Sequence, residues 1–293
     1  MSSAAAPEGG GVEGLSACLA ESERFSDENV SATETEMTGK FCWYELVTSD
    51  AAAAEAFYAR VADWTMRDSG QAMPRYTLAS AAGRDVAGIM TRPCVDAPPM
   101  WLGYVAVADV DAAASAFAAA GGSIDKPPAD IPGVGRFAVV TDPQGAMLTV
   151  FASHEQPPAP VAPGTPGHVA WHELSARDGV TAFDFYSRQF GWQKGRAMDM
   201  GSMGVYQIVT DGEKDIGAMM TNTAAPAPFW LYYIQVDDIE AASGRVTEAG
   251  GTIANGPHEV PGDNWIVQAV DPQGAMFALV GPRGNRGRDG WPR

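Results

Sequence analysis

Two glutamates stand in the same short context, Trp43-Tyr44-Glu45-Leu46 and Trp171-His172-Glu173-Leu174, 128 residues apart. A carboxylate set among aromatic and aliphatic residues is a candidate general base, because burial disfavours its charged form and lifts its pKa toward the range where proton abstraction works. The same group serves equally as an acceptor for a ligand hydroxyl, or as a structural carboxylate held by backbone or Arg. The four histidines (His154, His168, His172, His258) and three cysteines (Cys18, Cys42, Cys94) fit neither a zinc spacing nor a disulfide framework. Strand alternation turns His172 away from its neighbours Trp171 and Glu173. Gly121-Gly122 and Gly250-Gly251 read as helix terminators, since no helix follows them at once as a phosphate loop requires.

The elements that must position these residues repeat. The hexapeptide DPQGAM occurs at 142–147 and 271–276, and its Asp-Pro-Gln-Gly is a turn sequence. FCWYELVTSD lies over VAWHELSARD, PMWLGYVAVADV over PFWLYYIQVDDI, and AAGGSI over EAGGTI, all at offsets of 128 or 129. The chain is a tandem duplication of domains of about 115 residues, an ordinary domain size. A fainter repeat lies inside each copy. An alternating strand runs into Asp50, then an Ala-rich helix; a second strand runs into Asp109 and another such helix. Asp50, Asp109, Asp178 and Asp238 fall where N-caps belong, and Phe57, Tyr58, Phe185 and Tyr186 lie at core spacing on the helices. Segments such as RYTLASA, DVAGIMT, RFAVVTD and AMLTVFA supply the remaining strands. The fold class is α+β, four βαβββ modules, two per copy.

Composition bounds the partners. The 36 acidic residues outnumber the 19 Lys and Arg for a formal charge of -17. A nucleic acid backbone therefore finds no basic surface, and no apolar run reaches membrane-spanning length. The odd cysteine count suggests a reducing compartment, with cytoplasm as the default. Residues 1–38 carry eight acidic residues against the single Arg24. They read as a disordered extension with no secretory signal. Domain 1 is expected over 39–152, a Pro-rich linker over 153–167, domain 2 over 168–281 and a basic tail over 282–293.

The order of motifs, a strand ending in x-L-x-x-x-D, a helix with Phe-Tyr about seven residues on, a V-x-D-V/I strand end, Ala-Gly-Gly and a closing D-P-x-G turn, resembles the vicinal oxygen chelate superfamily. That group includes glyoxalase I, extradiol dioxygenases and bleomycin-resistance proteins. The resemblance implies that the two modules of each copy curl eight strands into a half-open barrel around one cavity. In metalloenzymes of that group His, Gln or Glu side chains hold a divalent ion there. The corresponding positions here are Trp43 and Trp171, Gly103 and Tyr232, Thr149 and Ala278, with the segments 88–90 and 217–220. None offers a convergent set of O and N donors, so the expectation is no metal and no cofactor.

What faces the cavity then decides its chemistry. The expected lining is Trp43, Glu45, Trp101, Gly103, Met147 and Thr149 in copy one, and Trp171, Glu173, Trp230, Tyr232, Met276 and Ala278 in copy two. Met198, Met200 and Met203 suit an adaptable lid. An aromatic and thioether lining with one carboxylate fits a small flat apolar molecule. The resemblance thus leaves three functions: metal-free binding, as in bleomycin-resistance relatives; metal-free isomerisation, cyclisation or elimination with Glu45 or Glu173 as base; and metal-dependent glyoxalase or dioxygenase chemistry, which the ligand positions oppose. The two copies are expected to pair within one chain as a pseudo-twofold unit, leaving the protein monomeric.

Overall fold

Each of the four predicted caps starts a helix. Asp50 Oδ1 accepts from the Ala53 N–H and opens α1 (Ala51–Val61); Asp109 Oδ1 accepts from Ala112 and opens α2 (Val110–Ala119). Asp178 and Asp238 each accept two first-turn N–H groups, at the heads of α3 (Gly179–Phe190) and α4 (Ile239–Glu248). These bonds satisfy donors that a helix start otherwise leaves open, an effect of about 1 kcal/mol each. The computed structural model describes residues 38–70, 75–91, 98–155 and 160–284. The acidic extension before residue 38, most of the basic tail, Cys18 and Cys94 lie outside the described residues.

The strands of the first copy are β1 (Phe41–Thr48), β2 (Thr65–Asp68), β3 (Tyr76–Ala81), β4 (Arg84–Thr91), β5 (Met100–Ala106), β6 (Ser123–Ile131), β7 (Gly135–Thr141) and β8 (Met147–Ser153). They form one sheet in the order β2-β3-β4-β1-β5-β8-β7-β6. The two βαβββ modules meet where β1 pairs antiparallel with β5. The second copy repeats this with β9 (Val169–Ala176), β10 (Gln193–Asp199), β11 (Val205–Thr210), β12 (Asp215–Thr221), β13 (Phe229–Gln235), β14 (Thr252–Val260), β15 (Asn264–Val270) and β16 (Met276–Pro282), ordered β10-β11-β12-β9-β13-β16-β15-β14. One face of each sheet carries the helices. The shared hydrophobic core lies on that face and runs through both copies, from Leu46, Phe57 and Leu148 to Leu174, Phe185 and Phe277.

The repeated hexapeptide holds the two copies together. Asp142 and Asp271 each fold their own turn, with Oδ1 accepting the three following free N–H groups. The second carboxylate oxygen crosses to the other copy: Tyr58 donates to Asp271 at 3.2 Å, and Tyr186 to Asp142 at 3.0 Å. Those phenols accept in turn from Trp101 and Trp230. Trp64 and Trp192 donate to the carbonyls of Gly167 and Gly39, again across the interface. Gly39 and Gly167 hold φ of 84° and 80°, a left-handed conformation that glycine adopts without steric cost. On the pseudo-twofold axis, equivalent residues meet each other. Tyr44 pairs with His172 at 2.6 Å, and the Gly103 N–H donates to the Tyr232 hydroxyl at 2.8 Å.

Candidate functional site

Strand alternation on β1 turns Trp43, Glu45 and Val47 to the face away from the helices, leaving Leu46 wholly buried on the helix side. In an antiparallel pair, residues directly opposite share a face. Trp43 lies opposite Tyr104, and Glu45 opposite Leu102; in the second copy Trp171 lies opposite Tyr233, and Glu173 opposite Leu231. The open face is therefore lined on β5 and β13 by Leu102, Tyr104, Leu231 and Tyr233. This corrects the expected lining at four positions. Trp101 and Trp230 turn to the helix side and donate to Tyr58 and Tyr186, while Gly103 and Tyr232 lie in contact between the copies. The expected phase of β5 and β13 is one residue off. The ladders run without a shift from Trp43 to Val47 and from Trp171 to Ser175, and one residue of difference in phase reverses every side chain. These strands are also apolar on both faces, so composition carries no phase.

The other predicted residues do share the open face. Thr149 is registered with Tyr104, and Ala278 with Tyr233; Met147 and Met276 lie half-buried one pleat away. Leu231, Tyr233 and Ala278 form a buried cluster separate from the main core, flanked by Trp171, Phe229, Ile266, Met276 and Val280. Met198 pairs with Tyr206 at the rim, and Met200 is exposed; the Met203 side chain lies outside the described residues.

Glu173 collects donors from both sides of its sheet. Tyr206 on β11 donates to Oε2 at 2.8 Å, Tyr233 on β13 to the same oxygen at 3.1 Å, and the Gln268 amide on β15 to Oε1 at 3.4 Å. Five strand spacings separate β11 from β15, about 24 Å on a flat sheet. Their meeting at one carboxylate requires the sheet to curl, which makes the open face concave. Trp171 Nε1 donates to the Tyr206 hydroxyl at 2.9 Å, so indole, phenol and carboxylate form a relay. Copy one builds the same relay. Trp43 donates to Tyr76 at 3.0 Å, and the phenols of Tyr76 and Tyr104 stand against Glu45. Gly88 makes the room, since a Cβ there would fall 1.8 Å from the Tyr76 hydroxyl.

Both carboxylates are 9% exposed. Burial lifts the Glu45 carboxyl above the ordinary range; its two phenols and the charge of Lys126 pull it partly back. Burial lifts Glu173 likewise, opposed by Tyr206 and Tyr233. All four phenols are pushed upward by burial first and by the facing carboxylate second, so they remain donors. The donors on each Glu given by the described residues are side chains of Tyr and, for Glu173, Gln, rather than the Arg or backbone groups of a structural carboxylate. A carboxylate made more basic by burial, set beneath half-buried rings, suits a bound hydroxyl or the removal of a proton.

Tyr76, Tyr104, Tyr206 and Tyr233 do not stand out in the sequence by local pattern. Tyr104 and Tyr233 stand aligned in GYVAV and YYIQV, and Tyr76 and Tyr206 are 130 residues apart, so the signal was present in the repeat itself. A surface cleft of about 230 Å³ lies elsewhere, bordered by Pro143, Gln144, Phe185 and Arg188. Its Gln144 amide is committed to the Asp178 backbone at the head of α3.

Residues 40–150 and 165–279 match the Glyoxalase/Bleomycin resistance protein/Dioxygenase superfamily. The chain belongs to this superfamily. It is 30% identical over 248 residues to the putative glyoxylase CFP32 of Mycobacterium tuberculosis, covering 82% of this chain and 94% of that protein. It is 32% identical over 268 residues to the anthracycline biosynthesis protein DnrV of Streptomyces peucetius, covering 83% and 93%. Among solved structures, the Mn(II)-bound glyoxalase from Novosphingobium aromaticivorans shares the fold at a TM-score of 0.59 and 18% identity, covering 85% of this chain and 83% of that one.

The superfamily implies a divalent ion in such a cavity, and the donor set here does not fit one. Among the described residues each concave face offers a single carboxylate with phenols, an indole and aliphatic groups, and the Gln268 amide that joins them in copy two is already bonded to Glu173 and Tyr233. Among the described residues no three His, Cys, Asp or Glu side chains gather as a metal would need. His172 lies on the opposite face, and Cys42 donates to the Tyr104 carbonyl.

Proposed function

We propose that the concave faces bind a small, flat, hydroxylated aromatic molecule without a metal, holding it for sequestration or presentation. The observation that carries this reading is the repeated Trp-Tyr-Glu-Tyr constellation: Trp43, Tyr76, Glu45 and Tyr104, matched by Trp171, Tyr206, Glu173 and Tyr233. Half-buried Trp, Phe and Met side chains supply ring contacts, and one buried carboxylate supplies an acceptor that fixes orientation. Met147, Thr149 and Met276 belong to the same lining. Trp101, Gly103, Trp230 and Tyr232 act instead through the interface that positions it. The relationship to a protein of anthracycline biosynthesis agrees with a polycyclic aromatic ligand.

A second reading rests on the same carboxyls. A Glu lifted toward neutrality in an apolar site is suited to abstract a proton from a carbon or hydroxyl beside a carbonyl, making Glu45 or Glu173 the base of an isomerisation, cyclisation or elimination. The Glu45→Gln and Glu173→Gln variants separate the readings, because the amide keeps the shape and loses the base. Isothermal titration with dihydroxyanthraquinone, followed by chromatography of the incubated probe, is the test. Binding with the probe recovered unchanged supports the binding protein. Conversion by the parent that the Gln variants abolish supports the enzyme, and no binding by the parent contradicts both.

A further inference from the structure

The two constellations differ in how far their hydrogen bonds are already committed. Position for position, Gln268 of the second copy corresponds to Val139 of the first, Asn255 to Lys126, and Ala278 to Thr149. In the second copy these changes close a circuit. The Gln268 amide donates both to Glu173 Oε1 and to the Tyr233 hydroxyl, and its carbonyl accepts from Asn255. With Tyr206 and Tyr233 on Oε2, both carboxylate oxygens have donors from the protein.

In the first copy the circuit is open. Val139 supplies no third donor to Glu45. The Thr149 hydroxyl is fully buried on the cavity face, leaning toward the Tyr104 phenol without reaching full hydrogen-bond geometry. A buried hydroxyl with its hydrogen-bonding capacity incompletely used on a lining position is placed to serve a group that enters the cavity. Lys126 adds a cation at the mouth, its ammonium 4.7 Å above the Phe137 ring, where the second copy has neutral Asn255.

We infer that the two cavities are not equivalent: the first receives the polar edge of the ligand, a phenolic hydroxyl beside a carbonyl or enolate oxygen, and the second offers only an apolar ring surface above a saturated network. The ligand hydroxyl donates to Glu45, its neighbouring oxygen accepts from Thr149, and Lys126 faces the negative charge such a phenol develops. This rests on the aromatic-ligand reading and deepens it by assigning the polar contacts to one copy.

The test compares dihydroxyanthraquinone with unsubstituted anthraquinone by isothermal titration of the full chain. Glu45→Gln and Thr149→Val should each weaken the hydroxylated probe about tenfold or more and leave the unsubstituted one unchanged. Glu173→Gln should shift the affinities of the two probes by the same factor, with no discrimination against the hydroxylated one. Exchange variants guard against misfolding of any one mutant. Val139→Gln installs the missing donor and should weaken the hydroxylated probe, whereas Gln268→Val should open the second copy and create a second site for it. Equal losses from Glu45→Gln and Glu173→Gln, or discrimination between the quinones unaffected by either, overturn the inequivalence while leaving the aromatic-ligand reading intact. Failure of the parent to bind either quinone overturns that reading and this inference with it.

Discussion

At the scale of single residues, His172 carries the clearest dependence on pH. A carbonyl only accepts, so the bond to the Ile216 carbonyl assigns the proton to Nδ1, and Nε2 accepts from Tyr44. Burial, with a smaller push from Lys214, lowers the imidazole from 6.5 to about 4. The unfolded chain therefore binds a proton more readily than the folded one between these values, and stability contributed by neutral His172 is lost as pH falls through that window. The full shift corresponds to roughly 3 kcal/mol. His172→Gln should flatten the melting temperature between pH 4 and 6.5, as differential scanning calorimetry would show; an unchanged slope would mean that the ring is solvated. Glu45 and Glu173 act with the opposite sign. Their raised folded values favour the protonated form, so the stability they contribute is complete at low pH and declines as pH rises from the ordinary carboxylate range through the folded value. Glu45→Gln should remove part of that decline.

At the scale of elements, sheet curvature and register place the site. Gly88→Ala drives a methyl group into the Tyr76 hydroxyl and should cost about 1–3 kcal/mol while breaking the Trp43 contact. Urea unfolding and the environment-sensitive fluorescence of Trp43 would report both effects. Asp178→Ala removes two capping bonds from α3 and should cost about 0.5–2 kcal/mol by the same urea measurement. The caps and the module order were readable because a helix start and a βαβββ rhythm are local, encoded within a few residues of Asp50, Asp109, Asp178 and Asp238. The inward placement of Glu45 and Glu173 was readable because β1 and β9 alternate after an aromatic residue. The faces of β5 and β13 were not. A strand buried on both sides has no amphipathic phase, and the register that sets it is visible only in the ladder. Tyr76 and Tyr206 reach their carboxylates across one intervening strand, β4 or β12, a distance that no local pattern records.

At the scale of the whole molecule, duplication has let equivalent positions diverge where they meet. Tyr44 faces His172, and Gly103 faces Tyr232, pairs that a symmetric dimer of either copy would turn into like against like. A Cβ at Gly103 would lie 2.6 Å from the Tyr232 hydroxyl, so Gly103→Ala should loosen the interface and lower the melting temperature of both copies together. Because Tyr58, Asp271, Tyr186 and Asp142 satisfy one another internally, the full chain should sediment as a monomer at micromolar concentration. An obligate dimer would show that a further face is buried between chains. The central claim is that this assembly binds a flat hydroxylated aromatic in the cavities built around its tyrosine-supported glutamates, without a metal. Titration of chelator-treated, gel-filtered protein with dihydroxyanthraquinone, read by tryptophan fluorescence, tests it most directly. Saturable quenching that Trp43→Phe and Trp171→Phe together abolish is the predicted result, whereas quenching that appears only after a divalent ion is restored would contradict the account.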